Sequence, residues 1–270
     1  SSYDKFVNSQ SPLTGSYIWE AQYSLAIEMG CVGLITSNEM FPGHTCCVVA
    51  GSHKYTSAHQ DETVRFLAAY VKSVDMLNAA IKAPGSDAYN KAMDIAVSNI
   101  IFPSDVNEEQ RKTIIANAWS LITYVAYDNA SSSDPLSALK TDIAQLADDL
   151  YKSENANNNA TDLGFSDSAA FADKYVDSSY MKSAIDYKLT ENPSKFTVKV
   201  AVIGGDIHQF AIHYGIALGI FDDYGITVET TNVANGPAVS VAIENGEAQF
   251  GFIGAPPMTI KVLNGKFVTP

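Results

Sequence analysis

Three short turns near the C-terminus gather the residues best suited to hold a ligand. Asp206-Ile207-His208-Gln209, Asn235-Gly236-Pro237 and Gly254-Ala255-Pro256-Pro257 each follow an apolar run and precede a helical pattern. Each turn therefore delivers a helix N-terminus, whose free amides attract a small anionic or polar group. Neither G-x-x-x-x-G-K-[ST] nor G-x-G-x-x-G occurs, which argues against a nucleotide phosphate. His208 follows its strand directly and has two readings, ligand donor or helix cap. His213 lies on another face of a helix with about 3.6 residues per turn, so a shared metal is not expected and a structural role is. His44, Cys46, Cys47 and His53 match no structural zinc spacing, and neighbouring strand residues point apart. No G-x-S-x-G and no Ser-His-Asp or Cys-His set emerges from the spacing, so no catalytic residue is assigned.

The elements that must position these turns are legible around them. Phe196–Ile203 alternates valines with polar residues, and Asp206 opens a helix through Leu218. Ile226–Thr230 and Phe250–Ile253 read as strands, Ala238–Asn245 and Met258–Leu263 as helices. Strands alternating with helices after short turns imply parallel pairing with right-handed crossovers. All three turns then reach one edge of one sheet, where ligands of such folds bind. Proline at a helix start fits, since a first-turn N–H has no intrahelical partner.

Upstream, Ser1–Ser16 reads as a polar lead-in, Tyr23–Met29 as a helix stopped by Gly30, and Val32–Ile35 as a strand. Asp61-Glu62 begin a long helix to Ile81, with Val64, Leu67, Ala68, Val71, Val74, Leu77 and Ile81 on its apolar side. Pro84-Gly85-Ser86 ends it. Further helices are expected at Tyr89–Asn99, from Asn107 through Tyr127, from Asp134-Pro135 to Tyr151, and at Asp167–Tyr175 and Ser179–Asp186. Ser153–Thr161 has almost no apolar content and reads as a loop too polar to order itself.

The chain has 270 residues, 46% of them hydrophobic and 10% aromatic, enough for a substantial core. Mean hydropathy is close to zero. No apolar run approaches the ~20 residues that span a bilayer, and no leader peptide is recognisable, so any signal or anchor is expected outside these residues. A net charge of −13 argues against nucleic acid and anionic membrane surfaces as partners. Cys31, Cys46 and Cys47 make a poor disulfide framework; adjacent Cys46 and Cys47 are expected on opposite strand faces, with free thiols favoured over a bond from Cys31 to one of them. Asn129-Ala130-Ser131 and Asn159-Ala160-Thr161 are glycosylation sequons.

The stretch Lys195–Gly265, with ALGIFDDYGITVE, NGPAVSVAIENGEAQFGFIG and APPMTIKVLNG, resembles the first lobe of the substrate-binding proteins of ABC importers. The resemblance is to the group serving sulfonates, taurine, nitrate and thiamine precursors. It implies an α/β fold: a three-layer lobe of the type II periplasmic-binding-protein class, with a parallel-rich sheet and, here, extra helices. It places Asp206, His208, Gln209, Asn235, Gly236, Gly254 and Ala255 at the ligand cleft. Gly15–Glu20 is similar to the strand that ends in a Trp-Glu-Pro motif on the cleft's other side, with Ala21 in place of the proline. Trp19 and Glu20 would then offer an aromatic wall and a carboxylate, suiting a solute with an apolar body and a cationic or hydroxyl end; the alternative is a core tryptophan and a surface acid. Phe41–Val49 resembles the crossing strand that follows, and Gly164–Ala184 the closing segment.

The resembled order is rotated. Residues 1–189 correspond to the later part of a binding unit, 190–194 to a linker, and 195–270 to the first half of lobe one, all packing as one domain. A fragment of a tandem array fits better than a circular permutant, because the linker is polar and Pro-bearing. The implied function is non-covalent capture of a small polar or anionic solute, passed to an ABC permease, in an extracytoplasmic location and without a cofactor or metal. The alternatives are a non-binding interaction module derived from such a protein, or a thiamine-pyrimidine enzyme of the same fold. The enzyme branch uses a histidine and a cysteine-rich motif longer than Cys46-Cys47.

Overall fold

The computed structural model describes residues 15–128 and 133–265. In chain order it contains α1 (Gln22–Glu28), α2 (Ser37–Met40), β1 (Cys47–Gly51), α3 (His53–Ala58), α4 (Gln60–Ile81), α5 (Asp87–Asn99), α6 (Glu108–Leu121), α7 (Ser137–Lys152), α8 (Ser168–Tyr175) and α9 (Ser178–Ile185). The C-terminal part adds β2 (Phe196–Ile203), a 3-10 turn (Ile207–Gln209), α10 (Phe210–Ala217), α11 (Ile220–Asp223), β3 (Ile226–Val233), α12 (Gly236–Glu244), β4 (Phe250–Gly254) and α13 (Ala255–Leu263). Helix starts carry the caps their sequences predict: Ser86 accepts from the Tyr89 amide at 3.1 Å, and Asn107 with Gln110 forms a capping box.

The four strands form one open sheet in the order β1-β4-β2-β3. β2 pairs with β3 in parallel along its full length, from Phe196↔Ile226 to Ile203↔Val233. β2 and β4 are also parallel but bridge only at Val200↔Phe250 and Ala201↔Gly251. β1 runs antiparallel on the far side of β4, with Cys47 opposite Gly254. The expected common edge therefore exists, because the C-terminal ends of β2, β3 and β4 all face one way.

Strand alternation divides the core into two layers. Val198, Val200 and Val202 meet Phe66, Leu77, Ala92, Ile114 and Phe210 from α4, α5, α6 and α10. Ala201 and Ile253 meet Ile143, Phe171, Val239 and Leu263 from α7, α8, α12 and α13. Phe66 stacks on Phe250 with ring centroids 4.2 Å apart, joining the long helix to the sheet. Residues on both sides of the 190–194 segment thus share one core. Arg65, only 4% exposed, clamps the segment's end: its guanidinium donates to the Ser194 carbonyl and hydroxyl at 2.9 and 3.0 Å and covers the Phe196 ring.

Several expectations fail for identifiable reasons. Gly15–Glu20 and Val32–Ile35 are not strands, because neither finds a partner edge; Tyr17, Val32 and Leu34 stay 91%, 82% and 87% exposed. Of Phe41–Val49 only the last residues join β1, and Phe41–Gly43 lies in a helix end and turn. The helix expected to reach Tyr127 stops at Leu121, where Ile122 turns extended. The chain instead buries Tyr124, whose hydroxyl donates to the Ile207 carbonyl at 2.6 Å. Asp134 sits ahead of α7, accepting from the Leu136 amide. The Ser153–Thr161 loop is pinned through contacts invisible in sequence: the Asn157 amide donates to Asn264 and the Asn158 side chain to the Leu263 carbonyl, both at 2.8 Å. Ser1–Thr14, most of the lead-in, and the Asn129 sequon fall outside the described residues.

Candidate ligand-binding site

β2 and β4 stop pairing after Ala201 and Gly251, so the two strands part towards the edge that carries the turns. α10, which follows β2, packs on one face of the sheet, while α13, which follows β4, packs on the other. A crevice between adjacent strands whose connections leave on opposite faces is the usual ligand position in an open parallel sheet. Gln209 fills the space between the parted strand ends. The fully buried carboxamide accepts from the Ile203 amide at 2.9 Å and donates to the Phe252 carbonyl at 3.2 Å, replacing the missing ladder bonds.

Asp206 and His208 lie in the same turn as Gln209. Asp206 Oδ1 accepts from the His208 amide at 2.9 Å and contacts His208 Nδ1 at 2.8 Å, while Gln209 donates to Oδ2 at 3.2 Å. The two side chains are 17% and 13% exposed. Burial opposes the His208 charge, yet the hydrogen bond and charge of Asp206, aided by Cys46 and Glu20, hold its pKa above the ordinary value. Of the two readings of His208, capping belongs to Asp206, and the histidine is the partner it orients. His213 is shifted down by burial.

The other two turns are as expected in position and different in chemistry. Asn235 accepts from the Ala238 amide at 3.0 Å, capping its own helix. The Ala255 amide donates to the Cys46 carbonyl at 2.8 Å, and Pro256 and Pro257 carry no N–H. Asp206 itself supplies a carboxylate at the first helix start. The amides expected to receive an anion are therefore largely occupied by the protein's own acceptors. Gly236 and Gly254 both lie against Pro257: a Cβ at either would come within 3.1–3.2 Å of its ring.

Glu20 reaches this corner as well. Burial raises its pKa, opposed by hydrogen bonds from Ser24 and by the His208 charge. Trp19 is 72% exposed and forms no strand end there.

Sequence reasoning missed Cys46 and Cys47. Cys46 precedes β1 rather than lying inside it, so the alternation of faces does not separate the pair, and their sulfurs are 3.9 Å apart. All three cysteines are free and half-buried. The Cys47↔Gly254 pairing brings both to the edge of the sheet that carries the turns, a neighbourhood that only the antiparallel register reveals. His44 contacts the Phe41 carbonyl through Nδ1. Among the described residues no group of three or more His, Cys, Asp or Glu side chains could hold a metal ion. Two open depressions of ≈450 and ≈430 Å³ lie along α7, the second also against α8, and none of the residues assigned above lines either.

Comparison with family models, curated proteins and solved structures finds no match to this chain.

Proposed function

We propose that this chain is a solute-binding lobe of the type II periplasmic class, which captures a small polar solute in the β2/β4 crevice without covalent chemistry. The observation that carries this reading is the parting of β2 and β4 above Gln209, with Asp206 and His208 fixed at its rim. The local charge narrows the solute. With Asp206 and Glu20 at the rim and the helix-start amides already engaged, a solute bearing an amine or hydroxyl is favoured over a sulfonate or nitrate. In the full protein the solute would pass to an ABC permease in an extracytoplasmic setting, with closure against a second lobe about a hinge.

Isothermal calorimetry and thermal shift against amino acids, amines, pyrimidines, sulfonates and nitrate test the reading. At about 100 times Kd a true ligand adds about 2.7 kcal/mol of stability. An amine- or hydroxyl-bearing class should raise Tm, and Asp206→Asn should remove the effect. Silence across every class would overturn the proposal. A second reading, an interaction module that binds no solute, is favoured by Val32, Leu34 and Ile35, apolar near-neighbours in sequence that stay 54–87% exposed, since exposed apolar surface can mark a contact.

A further inference from the structure

We propose that Cys46 and Cys47 together form a two-thiol site for a trivalent arsenical, both sulfurs bonding the same arsenic atom. Neighbouring residues within a strand point to opposite faces. Cys46 precedes β1 and Cys47 opens it, so the pair escapes that alternation and the two sulfurs meet 3.9 Å apart. The backbone around them is fixed on each side. The Thr45 amide donates to Asp142 at 3.0 Å, the Cys46 carbonyl accepts from the Ala255 amide at 2.8 Å, and Cys47 pairs with Gly254 in the sheet. Both thiols are free and half-buried, so neither residue is sealed in the core.

The donor set decides what such a pair can hold. Cysteine sulfur is a soft ligand and suits a soft centre. Zinc sites draw three or four ligands from the protein, and among the described residues no group of three or more His, Cys, Asp or Glu side chains could hold a metal ion. The pair therefore fits a centre that needs two sulfurs and brings its own third substituent, the bonding pattern of R–As(III). Neither sulfur is singled out, since both play the same part. The competing use is a direct bridge between them. A disulfide needs an S–S bond of about 2.05 Å and Cα atoms at least ~4.4 Å apart, whereas adjacent Cα atoms across a trans peptide sit about 3.8 Å apart. An arsenic atom inserted between the sulfurs enlarges the ring and eases both demands.

The step balances without an oxidant or a reductant. An arsenoxide R–As=O and two thiols give R–As(S–Cys46)(S–Cys47) and one water. Two As–S bonds form, the arsenic–oxygen bond and two S–H bonds break, and both thiol protons leave with the oxygen. Arsenic stays trivalent throughout. Once one sulfur has bonded, the second attachment is intramolecular, so the pair should hold the arsenical about 10²–10⁴-fold more tightly than either thiol alone.

The experiment titrates the reduced whole chain with phenylarsine oxide and reads intact mass. The native chain should gain the mass of one phenylarsine oxide less one water. Cys46→Ser and Cys47→Ser should each weaken capture about 10²–10⁴-fold, and Cys31→Ser should leave it unchanged, with circular dichroism confirming the fold of each variant. A measurement on the native chain decides the matter if a serine variant does not fold: the bound arsenical should shield Cys46 and Cys47 together from iodoacetamide while Cys31 stays reactive. Excess zinc should not displace it. Shielding of Cys31, unchanged affinity in either the Cys46→Ser or the Cys47→Ser variant, displacement by zinc, or no capture by the folded native chain would overturn the proposal.

Discussion

Replacing Gln209 with methionine isolates the device that holds the crevice open. Gln209 is fully buried, and its carboxamide satisfies the Ile203 N–H at 2.9 Å and the Phe252 C=O at 3.2 Å across strands that no longer pair. Methionine keeps the length and volume but neither polar atom, so two buried backbone groups lose their partners. Each orphaned group costs about 1–3 kcal/mol. Relaxation of the strand ends recovers part of this, and the expected loss is about 3 kcal/mol. For a chain of this size that corresponds to a fall in Tm of roughly 6–12 °C. Urea unfolding followed by circular dichroism reads it as a lower midpoint at unchanged slope. A change below about 0.5 kcal/mol, the range of an ordinary surface substitution, would refute the claim that Gln209 substitutes for the ladder.

Two further outcomes follow from the same geometry. Asn235→Ala removes the cap on the Ala238 amide and should cost about 1 kcal/mol by urea unfolding, while Asn235→Gly should cost only a few tenths. The His208 pKa is raised in the folded state, so the stability it contributes is fully present below its unfolded pKa, about 6.5, and is lost as pH rises through the higher folded value. The stability gap between the native chain and His208→Gln should therefore narrow as pH is raised from 6 towards 9, read by urea unfolding across that range; a gap that widens would reverse the assignment.

The C-terminal elements were legible because their signals are local. The valine alternation of Phe196–Ile203 and the Asn-Gly-Pro and Gly-Ala-Pro-Pro turns each fix one strand end or helix start, and the parallel order follows from them. The long helix Gln60–Ile81 was equally plain from its apolar stripe. What failed depended on partners distant in sequence. Val32–Ile35 has strand composition but no free edge to join, and Tyr124 leaves the helical path to reach Ile207. The site followed the same division. Asp206, Asn235 and Gly254 could be placed at one edge from the pattern alone. The engagement of their amides, Gln209 as a strand bridge, and the sulfur of Cys46 beside that of Cys47 all depend on register and side-chain direction, which periodicity does not encode.

The most direct test of the account is a crystal structure of the chain soaked with the solute that shifts Tm most. Density is expected between the 203–209 and 252–258 turns, with a solute amine or hydroxyl within hydrogen-bonding distance of Asp206. Density instead along α7 and α8, beside Lys140, Asp148 and Asp173, or none near the parted strands, would contradict it.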